Sequence, residues 1–260
     1  MPMSHLICNL SMVPLRAEPS DRAEMCSQIL FGEMMTLIAE KGNWLQVSCD
    51  FDEYRGWIDY KQCRPVTEAF TEHFRSAPSP AVFELLQIAF NESRKIALPV
   101  VLGSTLPGLK GNAFMIDEDQ YSYDGQSLMS RISTREAICQ TALMYLNASY
   151  LWGGRSPFGI DCSGLVQIVY RIHGFRLHRD AVQQAAQGTQ VSFASEAEPG
   201  DVAFFENEEG QIIHTGIILQ DHKIIHASGR VRIDELDHEG IYNKEQQRYT
   251  HKLRLIRSHL

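Results

Sequence analysis

Along residues 5–66 the apolar positions fall in short runs cut by turn residues. Ile29-Leu30-Phe31, Met35-Thr36-Leu37-Ile38, Trp44-Leu45-Gln46-Val47-Ser48-Cys49 and Tyr54-Arg55-Gly56-Trp57-Ile58 are separated at Gly32 and at Gly42-Asn43. Short runs at this spacing predict the strands of a small barrel or sandwich. Between 67 and 130 the pattern weakens. Ala81-Val82-Phe83-Glu84-Leu85-Leu86-Gln87-Ile88-Ala89 reads as a short helix, and Pro99-Val100-Val101-Leu102-Gly103 and Gly111-Asn112-Ala113-Phe114-Met115-Ile116 read as strands, with a turn at Asp124-Gly125.

From about 131 the period changes. Ser133-Thr134-Arg135-Glu136 has the form of a capping box, and Leu143 and Leu146 follow at helical spacing. Leu165, Val166, Val169 and Ile172 share one face of a helix expected to start at Cys162, with Asp161 as its N-cap, and to stop at Gly174. A turn at Pro199-Gly200 precedes a strand over 202–205. Two more strands, around His214 and His226, are joined by Gln220-Asp221-His222. The tail His251-Lys252-Leu253-Arg254-Leu255-Ile256-Arg257 alternates and reads as an edge strand. The expected architecture is α+β, divided as 1–66, 67–130 and 131–260, with the front all-β.

Composition narrows the chemistry. The 260 residues are 44% hydrophobic and 22% charged, as in a folded domain, and carry 24 Lys and Arg against 32 Asp and Glu, a net charge of −8. Nucleic-acid binding as the main activity is excluded on that balance, because phosphate recognition needs clustered cations. No apolar run is long enough to cross a bilayer as a helix. The six cysteines, at 8, 26, 49, 63, 139 and 162, form no CxxC pair and are too sparse for a disulfide scaffold. With no leader-like start, the expectation is a cytoplasmic protein, or an exported one if a leader precedes this sequence.

Cys162 stands out because a thiol at a helix start faces unpaired N–H groups and the positive end of the helix dipole. A nucleophile also needs a base and a third group that orients it. His214 and His226, on one face of a hairpin, supply those two roles. A metal centre competes for the same side chains: His222 and His226 have helical ligand spacing, but they lie across a loop-to-strand junction, and Cys162 has no neighbouring Cys or His. The expectation is no metal and no cofactor.

Taken together, Tyr150-Leu151-Trp152-Gly153-Gly154, Gly159-Ile160-Asp161-Cys162-Ser163-Gly164-Leu165-Val166, Pro199-Gly200-Asp201-Val202, His214-Thr215-Gly216-Ile217 and Ile225-His226-Ala227 resemble the pattern of the NlpC-type cysteine peptidases over about 131–260. Those are papain-like bacterial cell-wall hydrolases. The front, with Leu15-Arg16-Ala17-Glu18-Pro19-Ser20 and Tyr54-Arg55-Gly56-Trp57, looks like a bacterial SH3 domain, and 67–130 like a second, reduced SH3-like or linker region. The resemblance implies an endopeptidase for the γ-D-glutamyl–diamino acid bond of peptidoglycan stem peptides, L-Ala-γ-D-Glu-diamino acid, acting on a free N-terminal L-Ala and so on recycled wall peptides. It makes Cys162 the nucleophile, His214 the base, His226 the orienting residue and Tyr150 an oxyanion donor.

The same resemblance puts Asp161 and Ser163 on the L-Ala-γ-D-Glu part, Asp161 facing the amine, with Arg179 and Asp180 as further contacts. Glu24 and Tyr54 of the SH3 region would complete the amine pocket. A Cys162 thiolate paired with a His214 imidazolium is expected, with an activity maximum near neutral to mildly acid pH. A third residue that is His rather than Asp would bring no full negative charge. One departure is Ala181, where the related enzymes often carry Ser after Arg-Asp. The alternatives are a silent stem-peptide-binding protein and a thiol-based amidase or acyltransferase on the same fold. A monomer is expected.

Overall fold

A computed structural model of the chain describes residues 5–77, 79–129 and 134–260. The chain divides into two units, 1–130 and 131–260.

The first unit opens with a seven-stranded antiparallel sheet. Its order is Met25–Leu30, Met12–Arg16, Arg55–Asp59, Trp44–Cys49, Met34–Lys41, His5–Ile7 and Arg64–Pro65. Alternation along these strands sends Leu6, Val13, Leu15, Ile29, Val47 and Ile58 into one core. Gly56 is required by close approach, since a Cβ there would lie 2.6 Å from the Leu15 side chain and 2.9 Å from the Arg16 carbonyl oxygen.

Beyond residue 66 the structure departs from the sequence reading. The helix lies at Glu68–Ser76, where Thr67 accepts a hydrogen bond from the Phe70 N–H. The stretch read as helical instead forms the strands Ala81–Val82 and Leu86–Asn91. Leu86–Asn91 finds backbone partners on both sides, in Ile96–Val101 and Asp119–Tyr123, and that pairing outweighs a weak helical spacing. Ala113–Ile116 completes a four-stranded sheet. A single core joins this sheet to the front of the unit, with Ile7, Phe31, Met34 and Val66 packed among Val82, Val100, Phe114 and Tyr121. Phe114 stacks on Tyr121 at 5.0 Å, and Phe31 meets Phe114 edge-on at 6.1 Å.

The second unit is built on an antiparallel barrel. Arg248–Ser258, Val202–Glu206, Ile212–Leu219, Lys223–Ser228, Arg230–Leu236 and Gly240–Asn243 pair in that order, and the last strand pairs back onto the first. Thr189–Val191 adds to the far end of Arg248–Ser258. The tail read as an edge strand is therefore paired on both sides, because closing the ring uses both of its rows of backbone groups.

Thr134 caps the helix Arg135–Leu143 by accepting from the Ala137 N–H at 3.1 Å; the Ser133 of the expected capping box lies outside the described residues. The helix Cys162–Ile172 packs against the barrel with nearly every residue buried, and ends at Gly174 with φ +85°, as its apolar stripe predicts. Its first turn lies directly on the preceding loop, where a Cβ on Gly164 would sit 2.3 Å from the Gly154 carbonyl oxygen.

Candidate active site

The site begins at the first residue of the helix Cys162–Ile172. Asp161 has extended backbone and caps the helix, its Oδ1 accepting from the Gly164 N–H at 2.7 Å. Cys162 is thereby fixed at the helix start, buried, with the backbone N–H groups of Thr215 and Ser163 donating to its sulfur. The Thr215 bond ties the sulfur to the strand Ile212–Leu219, one residue from His214.

That strand and Lys223–Ser228 form the expected hairpin, and the two imidazoles meet on its inner face. His214 Nε2 lies 2.8 Å from His226 Nδ1, with the rings near perpendicular at 85°. Gly216 makes room for His226: a Cβ there would lie 2.8 Å from the His226 Cβ. Beyond His226 the structure adds two residues that the sequence reading missed. His226 Nε2 lies 3.0 Å from Asp234 Oδ2, and Arg232 donates to both Asp234 oxygens, from Nε at 2.7 Å and Nη2 at 3.0 Å. The signal was present in strand parity. His226 pairs directly with Arg232 across the hairpin, so Asp234, two residues on, shares its face. The full negative charge judged absent from the third position is supplied one residue further back.

Burial acts on the charge states of both side chains. Burial, with the Asp161 charge second, pushes the Cys162 thiol up to about 12. Burial, then the neighbouring His251 and His226, holds His214 well below the usual imidazole range. Both directions favour the neutral form of each group taken by itself. Burial and the charges of Cys162 and Asp161 raise Tyr150 to about 12, which keeps its hydroxyl a donor.

Asp161 is held by several donors inside the protein. Its Oδ2 accepts from the Gly153 N–H at 2.8 Å and Arg179 Nη2 at 2.6 Å, and its Oδ1 from Arg179 Nη1 at 3.0 Å and the Ser163 hydroxyl at 3.3 Å, besides the cap. Arg179 is itself 1% exposed and also donates to Ser163 Oγ at 2.9 Å. Asp161 and Arg179, both expected at the substrate, also pair with each other in a brace under the helix start. Ser163 turns its hydroxyl toward the same brace. Asp180 is half-buried and precedes the short helix Ala181–Gln184, which starts at the position where the resemblance expected a hydroxyl. Glu24 is exposed and Tyr54 half-buried, both in the first unit.

His222, the other half of the rival ligand pair, sits exposed in a turn with φ +55°. Among the described residues, His214, His226 and His251 bring three ring nitrogens within 4.8 Å. His251 stacks on His214, centroids 4.1 Å apart and planes at 23°. Lone pairs lie in the ring planes, so stacked rings do not converge on one ion, and His214 and His226 already face each other at hydrogen-bond length. The arrangement suits proton transfer rather than ligation.

Comparison with known proteins agrees with this geometry. Residues 147–252 match the NlpC/P60 family, and residues 15–62 match the bacterial dipeptidyl-peptidase SH3 domain. The chain is 30% identical over 236 residues to a γ-D-glutamyl-L-lysine dipeptidyl-peptidase of Bacillus subtilis, covering 84% of this chain and 78% of that protein. It is 28% identical over 254 residues to dipeptidyl-peptidase 6 of Lysinibacillus sphaericus, covering 88% and 90%. A crystal structure of an NlpC/P60 family protein from Bacillus cereus superposes with a TM-score of 0.82 at 20% identity, covering 99% of this chain and 100% of that one.

Proposed function

The chain belongs to the NlpC/P60 family of cysteine peptidases, and from that premise we propose that it cleaves the γ-D-glutamyl–diamino acid bond of peptidoglycan stem peptides. Cys162 is the nucleophile, His214 the general base and His226 the residue that orients it. The observation that carries this reading is the 2.8 Å contact between His214 and His226 on the hairpin against which the helix starting at Cys162 packs.

In the reaction, His214 takes the thiol proton as sulfur attacks the γ-amide carbon. The oxyanion is met by the Cys162 backbone N–H, which has no partner within the helix, and by the Tyr150 hydroxyl. His214 then passes its proton to the departing amine, leaving a thioester. Water, deprotonated by the same imidazole, releases the L-Ala-γ-D-Glu acid. The leaving group is the diamino acid with whatever follows it.

The free N-terminal L-Ala requirement belongs to the same proposal. Asp161, with Glu24 and Tyr54 of the SH3 region, is the proposed amine pocket. A requirement for a free amine limits substrates to peptides already released from glycan, which fits a recycling role. The test is hydrolysis of L-Ala-γ-D-Glu-diamino acid peptides, free and N-acetylated, by wild type and Cys162→Ala. Cleavage of the free peptide by wild type alone is expected. Equal cleavage of the acetylated peptide removes the amine requirement, and an active Cys162→Ala removes the mechanism.

A further inference from the structure

Each neutral imidazole in the His214–His226 pair carries one proton, and two arrangements satisfy a hydrogen bond between His214 Nε2 and His226 Nδ1. In the first, His214 carries its proton on Nε2 and donates it to His226 Nδ1, which leaves His214 Nδ1 bare and able to take a proton from Cys162. In the second, His226 Nδ1 donates to His214 Nε2. His214 is then protonated on Nδ1, the nitrogen meant for the sulfur, and is useless as a base. Nothing within the pair itself chooses between them.

The choice is made beyond it. Asp234 Oδ2 lies 3.0 Å from His226 Nε2, buried at 8% exposure on the adjacent strand. Burial opposes ionisation of that carboxyl, but hydrogen bonds from His226 and Arg232 outweigh it and hold Asp234 below its ordinary range. An ionised carboxylate only accepts, so His226 must carry its proton on Nε2, and its Nδ1 must accept from His214. Arg232 keeps the carboxylate from turning away, gripping both oxygens and reaching Glu245 with its Nη1 at 3.1 Å. His251, stacked against His214 with its centroid 5.7 Å from that of His226, is a further titratable group beside the pair. Its burial holds it near 4, so it stays neutral and adds no competing charge.

We infer that Asp234 is a positioning residue that sets the tautomers of both histidines, so that His214 presents a bare Nδ1 to Cys162. The inference rests on the assignment of Cys162 and His214 made above. It also places a fixed negative charge two hydrogen bonds behind the imidazolium that forms when His214 takes the thiol proton.

Two measurements on the full chain test it. In wild type labelled with 15N-histidine, NMR near pH 7.5 is expected to show His214 and His226 both protonated at Nε2 and bare at Nδ1. Protonation of either ring at Nδ1 overturns the inference, and this reading needs no variant to fold. Asp234→Asn, whose side-chain amide can offer a donor to His226, is expected to lower kcat at least about 100-fold with KM changed by less than about threefold, on the pattern of a wrong-tautomer variant. A kcat within about threefold of wild type overturns it. Cys162→Ala run in the same assay separates the two levels, because activity in that variant sinks the nucleophile assignment itself, whereas a fully active Asp234→Asn sinks only the tautomer role.

Discussion

Arg179 grips both oxygens of Asp161 from inside the protein, at 2.6 and 3.0 Å, with the two side chains 1% and 7% exposed. An ion pair removed from water in this way gives little net stability over an apolar pair, but breaking it leaves a charge stranded. Arg179→Met is therefore expected to cost about 3–5 kcal/mol of unfolding free energy. Urea denaturation followed by tryptophan fluorescence reads this. The double variant Asp161→Asn/Arg179→Met should lose less than Arg179→Met alone, since Asn still caps the helix and no charge is stranded. A single variant as stable as wild type would show the brace to be dispensable.

The neutral thiol and imidazole set the pH dependence of activity. The competent form needs His214 unprotonated, and its proton is lost well below the usual imidazole range, while Cys162 keeps its own up to about 12. kcat/KM should rise through an acid limb with an apparent pKa below 6.5 and then hold level to at least pH 9. The sequence-based expectation is a maximum near neutral to mildly acid pH, and the profile decides between the two. An acid limb centred at or above 6.5 contradicts it.

Stability should have its own acid limb. His214 and His251 are held below the ordinary imidazole range, His251 at about 4, so the unfolded chain binds protons there that the folded one does not. Their contribution is fully present above about pH 6.5 and is lost as pH falls toward 4. The melting temperature should drop across that window. His251→Gln should make the drop shallower, and an unchanged slope in that variant rules out His251 as a source.

Tyr150→Phe removes one hydroxyl donor near Cys162 and leaves the ring. Loss of an oxyanion donor typically costs 10²–10³ in kcat, and a fall of about that size is expected, with KM little changed. Steady-state kinetics on the free stem peptide decide it. A normal kcat assigns the oxyanion to backbone groups alone.

Gly216→Ala pushes a methyl to within 2.8 Å of the His226 Cβ and 2.9 Å of the Ile224 side chain. Overpacking of this kind costs about 1–3 kcal/mol, and the displaced imidazole should lengthen its contact with His214. Both unfolding free energy and kcat are expected to fall. A variant that loses stability but keeps full kcat would show that His226 tolerates movement.

The helix starting at Cys162 could be read from sequence because its apolar stripe, its Asp161 cap and its glycine stop all act within one turn of their own positions. The histidine hairpin was legible for the same reason, since parity over a few residues decides which face a side chain takes. What escaped was set by distant pairing. Leu86–Asn91 has a composition open to helix or strand, and partners at 96–101 and 119–123 decide it. Nothing in the chain announces that Arg179, 18 residues after Asp161, folds back onto it. His251 and Asp234 were missed because the closing strand was read as an edge and the Arg230–Leu236 strand was not followed across its turn.

The closing strand has a practical corollary for anyone shortening this protein. Ring closure leaves Val202–Glu206 and Gly240–Asn243 sealed by Arg248–Ser258. A stop codon ahead of Arg248 would unzip a hoop into a ribbon with two raw borders, and such borders recruit other chains. It would also remove His251 from beside His214, so one deletion should turn an active enzyme into a sticky, inert sheet.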